Sequence, residues 1–65
     1  MTLKELRISA GKSCAEAAKK LRVTQAAMYR YENGQRRLNV EQLLPLALLY
    51  DVTLYEIVEA AISGQ

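Results

Sequence analysis

Histidine is missing from this chain altogether, and cysteine occurs once, at Cys14. Without histidine the usual general base and the usual metal ligand are both gone, and no metal-ligand cluster or glycine-rich phosphate loop stands in for them. The lone thiol has no base beside it. No enzymatic activity, no metal and no cofactor is therefore expected. A single cysteine cannot close an internal disulfide, so nothing points to an oxidising compartment. Long apolar runs are lacking too: the longest, Leu43 to Tyr50, is far short of the roughly 20 residues that cross a bilayer. The N-terminus has no apolar segment of signal-peptide type, and the expectation is a cytoplasmic protein with no membrane contact. Strand-like alternation, repeats, linkers and low-complexity segments are likewise absent. That leaves one all-α domain over residues 1–65, close to the lower size at which a chain folds unaided.

Basic side chains stop at Arg37. From Met1 to Arg37 there are nine basic residues against three acids, a net +6, and from Leu38 onward four acids stand alone, a net −4. A basic half is the electrostatic footprint of a polyanion site, and an acidic, apolar-rich half is kept off phosphates. Taken by itself the asymmetry fits solvated faces equally well.

The stretch that decides between these readings is TQAAMYRYENG, Thr24 to Gly34. Thr24 is a preferred N-cap type and Gly34 the preferred residue just past a helix end, so a third helix is marked over residues 24–33. At about 100° per residue Met28, Tyr31 and Glu32 share an inner face. Ala26, Tyr29, Arg30 and Asn33 share the outer one, small at its start and rich in hydrogen-bond donors beyond. Such a face suits a helix that enters a DNA groove.

Four more helices surround it. Leu3, Leu6, Arg7 and Ala10 form the inner stripe of the first, which Gly11 ends. Ser13 with Glu16 is a capping box opening the second, through about Leu21, with Ala17, Ala18 and Leu21 inward. Arg22 and Val23 are a short turn into the third, the spacing of a helix-turn-helix. Asn39 with Gln42 opens a fourth helix from Val40 to about Tyr50, where Pro45 should bend the helix or displace its start. Thr53 with Glu56 caps a fifth, from Leu54 to about Ile62, frayed by Ser63 and Gly64. Arg7 and Glu32 both occupy inner stripes. One charge of each sign at matching positions predicts an ion pair rather than two side chains escaping to solvent.

These segments resemble the helix-turn-helix domains of lambda-type phage repressors and Cro proteins, the XRE family. The resemblance covers about Leu3 to Ile57, in LKELR, GKSCAEAAKKLRVT, QAAMYRYENG and VEQLLPLALLYDVTLYEI, with the Y-E-N-G ending of the third helix its most specific part. It implies a compact five-helix bundle with the third helix in the major groove of double-stranded DNA. The family's base-reading places fall on Gln25, Ala26, Ala27, Tyr29 and Arg30. Gln25 suits adenine, Arg30 suits guanine or a phosphate, and Tyr29 suits a base or a phosphate equally. The alanines either touch a thymine methyl or simply permit close approach. Asn33, Arg36 and Arg37 match backbone-contacting places, and Lys12, Ser13, Cys14 and Thr24 complete that set at the starts of the second and third helices. Arg7 and Glu32 match the family's inner pair.

The chain departs from the pattern at several places. Cys14 stands where a glutamine usually anchors the second helix to a phosphate, and it reads either as a redox-sensitive thiol or as a small buried residue. Arg22 and Asp51 replace turn glycines and would need positive φ. Leu38 replaces a loop proline, and Pro45 a surface residue.

The acidic half has more apolar surface than one core face needs. Leu43, Leu46, Ala47 and Tyr50 make one face of the fourth helix, with Leu44 and Leu48 on one flank and Leu49 on the other. The fifth helix adds Leu54, Ile57, Val58, Ala61 and Ile62. Either these helices cover each other, or Leu44, Leu48, Leu49, Tyr55, Val58 and Ile62 form a two-fold interface of the kind the family often builds here. The expected function is a Cro- or repressor-type regulator of phage, plasmid or mobile-element origin, or an antitoxin-like autoregulator. It would act as a homodimer on a palindromic operator, with RNA polymerase or a regulatory protein as further partners. A chain of this size is expected to hold no effector pocket. The competing class is a protein-interaction module that keeps the fold without reading DNA.

Overall fold

Five capped segments become five helices: α1 (Leu3–Ser9), α2 (Cys14–Leu21), α3 (Gln25–Glu32), α4 (Val40–Tyr50) and α5 (Leu54–Ser63). The computed structural model describes residues 1–63, so Gly64, expected to fray the last helix, lies outside them. No strand occurs among the described residues. Four helices begin with a reciprocal box, in which the cap side chain accepts from the backbone three residues on and that residue's side chain accepts from the cap's own N–H: Thr2 with Glu5, Ser13 with Glu16, Asn39 with Gln42 and Thr53 with Glu56. Pro45 lies inside α4 without displacing its start, because the Asn39 box closes ahead of it.

The first four helices end in the same way. An amide two or three residues past each helix reaches back five residues: Lys12 to the Arg7 carbonyl, Val23 to Ala18, Gln35 to Arg30 and Val52 to Ala47, at 2.9–3.1 Å. That bond requires a left-handed residue just before it. Gly11 and Gly34 supply it at φ 71° and 75°, Arg22 and Asp51 at φ 59° and 56°. Val23 and Val52, which follow the two strained residues, are partly buried against the core and help hold each turn in place.

Small residues set the spacing. Ala17 and Ala18 are buried on α2, which packs against both α3 and α4, while α5 packs against α4 and α1. Met28, Leu46 and Ile57 are the largest side chains closed off completely. The expected face of α4 (Leu43, Leu46, Ala47 and Tyr50) is buried in full. On α5 Ile57 and Ala60 are fully enclosed, Val58 and Ala61 partly so, and Leu54 and Ile62 are exposed, because α5 contacts the bundle along one edge of its apolar stripe. The Tyr50 hydroxyl is buried with no hydrogen-bond partner, and this desolvation pushes its pKa well above the ordinary tyrosine range.

Arg7 and Glu32 meet inside the bundle. Arg7 Nε donates to Glu32 Oε2 at 2.7 Å and Nη2 to Oε1 at 3.5 Å, while Nη1 donates to the Lys12 carbonyl at 3.1 Å. One guanidinium therefore joins α1, the α1–α2 loop and the end of α3. The carboxylate raises the pKa of Arg7 further, so the cation is fixed.

Two stability outcomes follow. A left-handed conformation costs a non-glycine residue about 1–2 kcal/mol, of which glycine's extra chain entropy returns about 0.5–1. Arg22→Gly should therefore stabilise the fold by about 0.5–1 kcal/mol, roughly 2–8 °C in thermal melting, and Asp51→Gly by less. Arg7→Ala strands a buried carboxylate and should cost about 3–5 kcal/mol. Against a total of about 3–10 kcal/mol for a domain of this length, that brings urea unfolding close to zero denaturant. Arg7→Met combined with Glu32→Leu should recover most of the loss.

Candidate nucleic-acid interface

Three attachments fix α3. Ala27 and Met28 are buried where the helix packs on α2, Glu32 is bound to Arg7, and the Tyr31 hydroxyl accepts from Gln42 Nε2 of α4 at 3.1 Å. With that side committed to the bundle, Gln25, Ala26, Tyr29, Arg30 and Asn33 are all exposed, Tyr29 by 52%. The exposed face is a continuous row of one small residue and four hydrogen-bonding side chains.

Charge is sorted by the same geometry. Glu32 is the only acid of α3, and it is turned inward and neutralised. α3 is also the one helix whose start carries no capping carboxylate or amide: Thr24 accepts from the Ala27 N–H at 3.1 Å, but position three is alanine. Its N-terminus keeps the positive end of the helix dipole unopposed, which favours an approaching anion.

The loop after α3 is drawn back onto the helix. The amides of Gln35 and Arg36 both donate to the Arg30 carbonyl, at 2.9 and 3.3 Å, and the Arg36 guanidinium lies 5.4 Å above the Tyr31 ring. Arg36 and Arg37 are exposed beside the C-terminal end of α3. Because Arg7 holds the Lys12 carbonyl as well as Glu32, the loop carrying Lys12 and Ser13 is brought to the same end. Thr24 and Gln25 mark the opposite end. Lys12, Arg36 and Arg37 thus gather at the C-terminal end of the exposed face of α3.

Two of the expected contact residues are corrected. Ala27 is buried at 9% exposure, so its methyl packs in the core and is not available to a base. Cys14 is buried at 8%, and burial pushes its thiol pKa up. The enclosed thiol packs as a core residue, the second of its two expected readings. On the acidic half, Leu49 and Val58 are partly buried against the core and belong more to the monomer than to an external interface. Leu44, Leu48, Tyr55 and Ile62 remain exposed, Leu48 by 80%. The sequence reading missed Val40 and Leu54, exposed by 63% and 44%. The spacing of Val40, Leu44 and Leu48 at i, i+4 and i+8 would have placed the first of these on the same stripe. No helix among the described residues is long and apolar enough to cross a membrane.

Compared with known families, residues 1–60 match the profile described as a helix-turn-helix domain. Neither a curated protein nor a solved structure gives a significant match. The match runs over nearly the whole chain and agrees with the all-helical architecture and with the α2–turn–α3 unit just described, so the chain belongs to the helix-turn-helix domain family.

Proposed function

We propose that this protein is a sequence-specific, double-stranded-DNA-binding transcriptional regulator of the Cro or repressor type, which lays α3 in the major groove. The observation that carries the reading is the division of α3: one side is bound to the bundle by packing, an ion pair and a hydrogen bond, and the other presents Gln25, Tyr29 and Arg30 to solvent with no acid among them. Gln25 then pairs with adenine and Arg30 with guanine, while Ala26 permits close approach. Lys12, Ser13, Thr24, Asn33, Arg36 and Arg37 hold the phosphates and set the register.

The exposed apolar residues Val40, Leu44, Leu48, Leu54, Tyr55 and Ile62 form the surface for a second copy. A two-fold pair built there would set its two α3 helices about 34 Å apart, one turn of the duplex, and read a palindrome. Occupying such a site excludes or recruits polymerase.

Binding to duplex DNA should weaken steeply as salt rises, since released counterions drive it. A module that only docks apolar protein surfaces would not respond in this way. In fluorescence titrations Arg30→Ala should cost about 1–3 kcal/mol of discrimination at one base pair while leaving weak binding intact. Arg36→Ala should weaken every sequence alike and lower the salt slope by about one. Leu48→Lys changes a side chain that is 80% exposed in the monomer, so the fold should survive. Sedimentation equilibrium should then show a weaker dimer, with affinity lost for a palindrome but kept for its half-site.

A further inference from the structure

A cavity of about 200 Å³ opens between the α3–α4 loop and helices α1, α4 and α5, in a domain whose sequence suggested no effector pocket. Leu3, Leu43, Val58 and Ala61 line it, and Arg36 and Arg37 stand among its walls. The one neutral polar side chain among the lining residues is Tyr31, whose hydroxyl is already engaged by Gln42. Neither arginine has an ion-pair partner among the described residues. Arg36 is held in place by the hydrogen bond its backbone N–H donates to the Arg30 carbonyl at 3.3 Å and by its guanidinium's position above the Tyr31 ring.

Size and charge together define what fits. Sites for drug-sized molecules run to about 300–1,000 Å³, whereas an apolar cavity of about 150 Å³ admits a benzene ring. This one has room for a single ring or a short chain. Apolar walls select a hydrocarbon body, and two guanidinium groups with no ion-pair partner among the described residues select an anionic head with carboxylate geometry. We propose that the cavity binds a small apolar monoanion, a medium-chain or single-ring carboxylate, with its body against Leu3, Leu43, Val58 and Ala61 and its head on Arg36 and Arg37. In one consequence this rests on the DNA-binding reading: a bound carboxylate occupies the two loop cations assigned there to phosphates, so the ligand weakens DNA binding.

The test is a titration of the full chain with octanoate, followed by amide chemical shifts, with octanamide as the uncharged isostere. Saturable shifts are expected at Leu3, Leu43, Val58 and Ala61, with octanamide binding at least about tenfold more weakly, as loss of a charge-assisted hydrogen bond dictates. Ala61→Leu, which fills the cavity and leaves the arginines in place, should abolish them. Equal binding of octanamide, no saturable shift at millimolar octanoate, or shifts confined to Leu48 and Tyr55 on the outer surface would overturn the proposal. DNA is absent from this titration, so its failure leaves the reading of α3 untouched. A second titration, of a duplex the protein binds, then measures the linkage: octanoate should raise the apparent Kd, and an unchanged Kd at saturating octanoate would overturn the competition.

Discussion

Glu32 occupies the inward side of α3 with its side chain 2% exposed, and among the described residues the cation within reach of it is Arg7. A carboxylate so enclosed is tolerable only with a partner, and that partner comes from a helix 25 residues earlier in the chain. The pair therefore does more than neutralise a charge. Its two parallel contacts define the angle at which α3 leaves the bundle, and the third donor of Arg7 fixes the Lys12 loop to the same point. Apolar packing on α2 alone would let α3 roll. A bidentate contact is directional, so the outward row of Gln25, Ala26, Tyr29 and Arg30 has one orientation.

Removing the acid from the surface has an electrostatic consequence as well. With Glu32 inside and no capping carboxylate at Thr24, the exposed charges of α3 and its following loop are Arg30, Arg36 and Arg37, all of one sign. The acids of the C-terminal half lie on α4, α5 and the turn between them, beside exposed leucines and no base. The two halves of the chain thus separate a surface suited to a polyanion from one suited to an apolar partner. On the proposed reading these are the operator and the second copy. The cavity touches both halves: its walls belong to the apolar core of α1, α4 and α5, and its cations to the loop beside α3.

Much of this was legible in the sequence because it is written in short-range chemistry. Ser13 with Glu16, Asn39 with Gln42 and Thr53 with Glu56 mark helix starts within four residues. The need for positive φ at Arg22 and Asp51 follows from their place in turns where glycine is usual, and both have it. The inward stripe of α3 follows from helical period alone. What the sequence concealed depends on packing between segments far apart in the chain. Ala27 and Cys14 are the exceptions: helical period puts Cys14 on the stripe of Ala17, Ala18 and Leu21 and Ala27 one turn before Tyr31, and only the family's contact pattern pointed them outward. The burial of Ala60, which the apolar residues read on α5 did not include, reflects which edge of that helix meets the bundle. The cavity draws its walls from α1, the α3–α4 loop, α4 and α5, and no local pattern announces it.

The central claim is that the free face of α3 reads duplex DNA. Its most direct test is selection of bound sites from a pool of random duplexes by the folded wild-type chain. Enrichment of one motif, palindromic with half-sites about one helical turn apart, is the result the account predicts. A folded protein that enriches no motif and retains no duplex at low salt would contradict it.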